Sequence, residues 1–400
     1  MKVAVVTDLH FVKDKNGDSY TPVMYGYEFF KRYHNVFEEV CVVARGESVD
    51  VAPENSLKVN GEGVETVMMP ATLGIKEYAQ KYFKLRKAMK DAIKNCDTVI
   101  IRTPSALSTM AVSIAKSLKK PFALEVVADP GSVKVTNSLK DKLIRSYIVK
   151  SCKDACMTAN GVAYVTKYFL QSICPCRATV SGKDTDEYFT GNYSSVTLPL
   201  EYYSEPKKYT GKKSFKIVHT ANIIGSEAKG HSVVIRTVAK LREKGFDVSV
   251  CFVGDGALVP TLKELAETLG IAEHVVFAGK FADPSKVRKC LLDSDIYMLP
   301  SESEGLPRGV IEAMACGLVA IASNVSGIPE LLDERDMKEP KDVDGYAERI
   351  AELLSDPEEM EKASIRNIEV AKNYSSVNLT INRNDFYVKL KRLVEKKQKN

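Results

Sequence analysis

Glu304 and Glu312 stand eight positions apart inside the stretch Ser301 to Gly317, with Gly305, Leu306, Pro307, Arg308 and Gly309 between them. An ionised carboxylate only accepts hydrogen bonds, so this pair suits hydroxyl groups rather than anions. The segment between them suits an anion. Val310, Ile311, Met314 and Ala315 follow a helical stripe. Pro307 fits a first helical position, where its missing N–H costs nothing. The start of such a helix offers unpaired N–H groups and a partial positive charge, which favour an exposed anion by about 0.3–1 kcal/mol. A phosphate flanked by hydroxyl-rich groups describes a nucleotide sugar, with a ribose on one side and a hexose on the other. Taken singly, each is better explained plainly, Glu304 as a solvated loop charge and Glu312 as a dipole partner of the first turn. The string as a whole favours the nucleotide sugar.

The elements around this string place it. The apolar run Ile296 to Leu299 predicts a buried strand, Gly317 a helix stop, and Leu318 to Ala322 the next strand. Strand, loop, helix, strand is a parallel crossover unit. Ligands of open parallel sheets bind at the carboxyl ends of the strands, where the loop 301–306 lies.

The stretch from Pro300 to Leu332 resembles the donor-binding signature of the retaining glycosyltransferases of family 4: Glu, seven residues, Glu, preceded by Pro-Ser and followed by Ala-Met-Ala-x-Gly. The likeness covers roughly residues 215–335 and is weaker over the first half. It implies a GT-B fold, with two Rossmann-like, doubly wound parallel-sheet α/β domains facing a central cleft. Carried over by position, Glu312 binds the ribose hydroxyls, Glu304 lies beside the transferred sugar, and the amides from Gly305 through Leu306 and Arg308 to Gly309 hold the diphosphate. Lys229, before Gly230, is placed to reach that diphosphate. The arginine the family usually carries upstream is absent, and Asn222 stands in its region, leaving Arg308 to compensate. Asp255 matches the family's Gly-Asp-Gly turn, and Lys280 falls where its base-contacting loop lies. A histidine that contacts the donor sugar in the family is missing after residues 122–127. Asp129 is the substitute, with Glu125 second. His10 and Gly17, in a polar first loop, line the acceptor side.

Composition is that of a cytoplasmic globular protein. Apolar residues make up 44% and charged residues 27% of the 400, enough for two domains. No run of eighteen apolar residues suggests a membrane span, and Met1 to Asp8 begins directly as a strand rather than a leader. Nine cysteines without framework spacing fit a reducing compartment. Cys41, Cys251 and Cys316 sit in apolar runs as small core residues. Asp293 with Asp295 and Asp184 with Asp186 have the look of metal carboxylates. The first pair, at a helix-to-strand junction, is taken as caps and solvated turns, and no metal is expected.

Net charge is +5, too mild to suggest a nucleic-acid partner, but residues 81–94 form a basic amphipathic helix. Lys81, Lys84, Arg86, Lys87, Lys90 and Lys94 interleave there with Tyr82, Phe83, Leu85, Met89 and Ile93. Such a helix packs its apolar stripe on a sheet or touches anionic lipid on the inner face of a membrane. The basic C-terminus reads as a solvated tail.

Strands alternate with helices along the chain. Strands are expected at 3–7, 40–44, 65–69, 98–102, 122–127, 155–159 and 162–165 of the first half, with helices at about 22–34, 74–95, 106–118 and 138–152. The second half starts near Phe215. The domains expected are 1–198, with the helix 376–400 crossing back to it by resemblance, and 207–375 for the donor. The function implied is retaining transfer of a sugar from a nucleoside diphosphate sugar to a hydroxyl of a glycan or lipid-linked glycan in polysaccharide biosynthesis, with no cofactor beyond the donor. Two alternatives are a GT-B sugar-nucleotide epimerase and a non-catalytic nucleotide-sugar or glycan-binding subunit.

Overall fold

The computed structural model describes residues 1–399 apart from 23–24, 55, 73, 133–138 and 282. The chain divides into two compact units, Met1–Tyr193 with Thr380–Asn400, and Ser194–Leu379. Each is a sheet flanked by helices, wholly parallel in the second unit and parallel but for two short strands in the first.

In the first unit the parallel strands run in the spatial order Val64–Pro70, Glu39–Ser48, Lys2–Lys13, Thr98–Thr103, Phe122–Val126, Gly161–Tyr164, Phe189–Asn192. Strands covered on both faces carry no polar alternation, because neither face meets water. Val3, Ala4, Val5 and Val6 are all buried, as are Val99, Ile100 and Ile101. One core on this sheet includes Val43, Ile101, Leu124 and Val162, closed by Leu85, Met89 and Ile93 from the helix Gly74–Lys94.

Four expectations change here. The polar first loop is largely strand. Lys2–Lys13 slips register between Val6 and His10, then pairs on from His10 opposite Arg45 to Lys13 opposite Ser48. Gly46 permits this close approach, since a Cβ there would meet the Phe11 carbonyl oxygen at 2.5 Å. His10 is therefore a strand residue, not a loop residue. Gly17, at φ +87°, turns the chain into the short antiparallel strand Ser19–Thr21. Residues 155–159 are not a strand. They fall in or just after the last turn of the helix Leu139–Thr158, whose Cys152, Ala155, Cys156 and Ala159 follow helical spacing onto the core. The helix expected from 22 begins at Tyr27. Residues 23–24 of that expected helix, and residue 138 of the one expected at 138–152, lie outside the described residues.

In the second unit all six strands are parallel, in the order Val275–Gly279, Asp247–Asp255, Ser214–Ile223, Ile296–Leu299, Val319–Ser323, Met337–Lys338. Numbered along the chain this is 3-2-1-4-5-6, the doubly wound order. It reverses direction between Ser214–Ile223 and Ile296–Leu299, and the crevice outside their carboxyl ends is where such sheets take ligands. The core here gathers Ile217, Val250, Phe252, Met298 and Ile321 with Val234 and Val238 of the helix His231–Glu243. Among the described residues no helix is long and apolar enough to cross a membrane.

Candidate functional site

Three loops of the second unit meet at the switch point. The first, 224–230, leaves the strand Ser214–Ile223; the second, 300–307, leaves Ile296–Leu299; the third, 324–327, leaves Val319–Ser323. Backbone bonds tie them: Glu302 N–H donates to the Ala228 carbonyl at 2.9 Å, and Gly327 N–H to the Gly305 carbonyl at 3.0 Å. Gly230, at φ +72°, lets the first loop sit on the second, since a Cβ would lie 2.3 Å from the Pro300 carbonyl oxygen. Gly254 and Gly256 do the same beneath the first loop, where a Cβ would come 1.7 Å from the Ala221 and 2.5 Å from the Ile224 carbonyl oxygens.

This packing brings Lys229 and Glu304 into an ion pair, although they are 75 residues apart in sequence. The Glu304 side chain is 9% exposed and that of Lys229 39%, so the carboxylate is held in place while the ammonium meets solvent. Glu304 is further fixed through its own N–H, which donates to Ser326 Oγ at 3.2 Å. Ser326, at φ +54°, adopts a left-handed conformation that a serine rarely takes. Nothing in the sequence around Ser326 marked it.

The helix expected from Pro307 starts one residue later. Pro307 is its N-cap, in extended conformation, and the helix runs Arg308–Ala315. A proline side chain accepts no hydrogen bond, so no side-chain cap occupies the first turn. Gly309 is required by its surroundings: a Cβ would lie 2.3 Å from the Tyr297 hydroxyl and 2.8 Å from Thr220 Oγ1, which hydrogen-bond each other at 2.9 Å. Leu306 is buried, and Gly305 and Arg308 are half-buried beside it. Glu312 lies in the second turn, half-buried. Desolvation raises its pKa, opposed by Arg308. Burial and the Glu312 charge in turn raise the pKa of Tyr202. Behind the loops, His219 and His231 are fully buried with ring centroids 4.6 Å apart, both held neutral first by desolvation.

The remaining expected residues are more dispersed. Asn222 is exposed near the end of its strand. Asp255 is exposed, caps the Gly256 N–H at 2.8 Å, and offers its carbonyl to Ile224 N–H at 2.9 Å. Lys280 is exposed after the edge strand, two strands from Ser214–Ile223, or about 10 Å at ordinary strand spacing. Asp129, His10 and Gly17 belong to the first unit. Asp129 closes a tight turn, accepting from Gly131 N–H at 2.7 Å. His10 is half-buried, and desolvation followed by Arg45 lowers its pKa. Glu125 does not face a ligand-binding loop as a free carboxylate: it is 3% exposed and saturated by Arg102 and three tyrosine hydroxyls.

The aspartate pairs have structural partners. Asp295 is not solvated: it is buried, accepts the Lys216 N–H at 2.9 Å, and pairs with Lys212. Asp293 pairs with Lys289 at 2.9 Å, Asp184 with Lys389 at 3.1 Å and Asp186 with Lys396 at 3.0 Å. Among the described residues no three His, Cys, Asp or Glu side chains are grouped to hold a metal ion.

Residues 205–370 match the family of glycosyl transferases group 1. Protein CapJ of Staphylococcus aureus is 27% identical over 391 residues, 96% of this chain and 95% of that protein. An N-acetyl-alpha-D-glucosaminyl L-malate synthase of Bacillus anthracis is 34% identical over 156 residues, 38% of this chain and 39% of that one. Among solved structures, a sucrose-phosphate synthase from Thermosynechococcus elongatus aligns with a TM-score of 0.71 at 13% identity, covering 98% of this chain and 99% of that one. Anabaena HepE in complex with UDP gives 0.66 at 14%, covering 96% and 99%. These likenesses establish the two-domain GT-B fold. The likeness to the glycosyl transferases group 1 family lies in residues 205–370, within the second unit.

Proposed function

We propose that the protein is a retaining, metal-independent glycosyltransferase of the family 4 kind, moving a sugar from a nucleoside diphosphate sugar to a hydroxyl of a glycan or lipid-linked glycan during polysaccharide synthesis. The observation that carries this reading is the Lys229–Glu304 pair at the switch point, beside a helix start without a side-chain cap. In the absence of donor the two charges satisfy each other. A diphosphate arriving at the helix 308–315 competes with Glu304 for Lys229 and releases the carboxylate to accept from the sugar hydroxyls. Glu312 accepts from the ribose, and Asp255 and Lys280 flank the base. The UDP bound to HepE supports a nucleoside diphosphate as the ligand class. Catalysis on this scheme is positioning and leaving-group stabilisation. The first unit, with Asp129, His10 and Gly17, serves the acceptor and the sugar.

A panel of nucleoside diphosphate sugars, scored for binding and for slow hydrolysis, tests this reading. One donor class is expected to bind and to lose its sugar. Glu312→Ala is expected to weaken binding of the bare nucleoside diphosphate about tenfold, because a ribose contact is made equally in ground and transition states. Unchanged binding by that variant would remove the ribose assignment.

We also assign the helix Gly74–Lys94 to an anionic membrane surface. It buries Leu85, Met89 and Ile93 and leaves Phe83 82% exposed, with Lys84, Lys87 and Lys90 exposed around it. A ring standing in water among lysines is the arrangement that inserts at a lipid headgroup layer. Each basic residue near such a surface contributes about 1 kcal/mol. Neutralising Lys84, Arg86 and Lys87 together is expected to reduce sedimentation with anionic vesicles while leaving the circular dichroism spectrum unchanged. Equal sedimentation of parent and variant would reduce the helix to a plain surface element.

A further inference from the structure

Among the described residues, the first unit buries a cluster of arginines that exceeds the carboxylates beside it. Arg102 is 8% and Arg383 6% exposed, and the Arg32 side chain 11%, around a Glu125 that is 3% exposed. Glu125 Oε2 accepts from Arg102 Nη1 at 2.6 Å and from the Tyr33 hydroxyl at 2.8 Å. Its Oε1 accepts from Tyr387 at 2.7 Å and Tyr193 at 3.0 Å. Arg32 Nη2 stands 3.9 Å from the same carboxylate. Among the described residues, two guanidinium groups thus pair with this one carboxylate and the third, of Arg383, has no ion pair, leaving an excess of two positive charges. Arg32 Nε and Arg383 Nε are buried and donate to no acceptor among the described residues. Arg383 is placed against the Tyr193 ring at 5.4 Å, and Arg32 against Phe29 at 3.6 Å.

Tight burial of unpaired arginines is costly. Apolar residues of similar size would stabilise such a core at least as well, so charge of this kind is explained by a partner that compensates it. The place is suitable for one. Arg102 and Glu125 lie opposite each other, each the next-to-last residue of its strand, at the carboxyl end of a doubly wound sheet. Guanidinium forks match phosphate oxygens in bidentate geometry. A phosphate monoester carries about −1.5 to −2 charge at pH 7, which matches the excess, whereas a carboxylate would leave one charge unpaired.

We propose that Arg32, Arg102 and Arg383 form a phosphoryl-binding site that takes a phosphate group carried by the acceptor. The acceptor half of this statement rests on the transferase reading above; the phosphoryl half does not. Calorimetric titration of the full chain with inorganic phosphate at constant ionic strength tests the site. Lys229→Ala is included because the donor site also attracts phosphate. Binding is expected to persist in Lys229→Ala and to weaken about tenfold or more in Arg383→Gln, the loss associated with a charge-assisted hydrogen bond. Arg32→Gln gives the same reading if Arg383→Gln does not fold. Sodium acetate is expected to bind more weakly than phosphate, and octyl phosphate at least as tightly. Phosphate binding unaltered in a folded Arg383→Gln or Arg32→Gln protein, or loss of folding in both, would overturn the site and leave the arginines as structural cations. Acetate binding as tightly as phosphate would overturn the phosphoryl assignment, and exclusion of octyl phosphate the acceptor assignment. Failure of the transferase reading would instead show in the donor panel, with these titrations unchanged.

Discussion

Replacing Lys229 by alanine is expected to lower turnover about a hundredfold or more, the usual consequence of losing a preorganised group aimed at developing charge. The donor's apparent Michaelis constant should rise less than turnover falls. Negative charge accumulates on the diphosphate as the sugar–oxygen bond breaks, so on the proposed reading Lys229 contributes more to the transition state than to the bound donor. Its partner in the present structure is Glu304, whose side chain is 9% exposed and which the same substitution leaves without its cation. Removing one partner of a largely buried charge pair leaves the other uncompensated, so the loss is expected to exceed that of a simple contact. Asn222 is exposed near the end of the strand bordering the same crevice. Asn222→Arg should therefore restore part of the rate in the Lys229→Ala background. Activity should survive chelation of divalent ions, and the product should keep the donor's anomeric configuration. Normal turnover in Lys229→Ala would move the phosphate contact elsewhere on the fold, and an inverted product would overturn the retaining assignment.

The second large effect is on stability. Glu125→Ala is expected to cost about 3–5 kcal/mol, the range for removing one partner of a buried charge pair. It leaves Arg102 without its acceptor at 2.6 Å and removes the acceptor of three buried tyrosine hydroxyls at once. Urea unfolding of parent and variant measures this as a shift in midpoint at unchanged slope. The pH dependence carries a definite sign. Burial alone would raise the Glu125 pKa, but Arg102, Arg32 and the tyrosine hydroxyls hold it at about 2, against 4.5 for an ordinary glutamate. A depressed folded-state pKa stabilises the protein above the unfolded value, and that stability is lost as pH falls through the folded value. The advantage of the parent over Glu125→Gln should thus be full above about pH 5 and shrink between about pH 4.5 and 2. A difference that stays constant across that window would mean the carboxylate is not charged in the fold.

The string from Ile296 to Ala322 settled its own local structure. Strand, loop, helix and strand fall close to where the apolar runs, Pro307 and Gly317 put them, because each constraint acts on a residue or on neighbours within one turn. The doubly wound class was legible for the same reason: strands buried on both faces must be uniformly apolar, and Val3–Val6 and Val40–Ala44 are. Local pattern failed where a polar segment gained its partners from far away. The run from Asp8 to Lys13 resembles a loop until residues 45–48 of the next strand pair with it. Asp295 resembles a solvated turn until Lys212 and the Lys216 amide arrive from 79 to 83 positions away. The site differs from the scaffold in the same way. Glutamate spacing and glycine positions are written along the chain, since backbone close approach demands a missing Cβ wherever it occurs. The meeting of Lys229 with Glu304, the support from Ser326, and the gathering of Arg32, Arg102, Glu125 and Arg383 depend on which strands lie side by side. Strand order is decided by how whole helices and sheets bury their apolar faces, a sum over the entire unit that no single stretch of sequence contains.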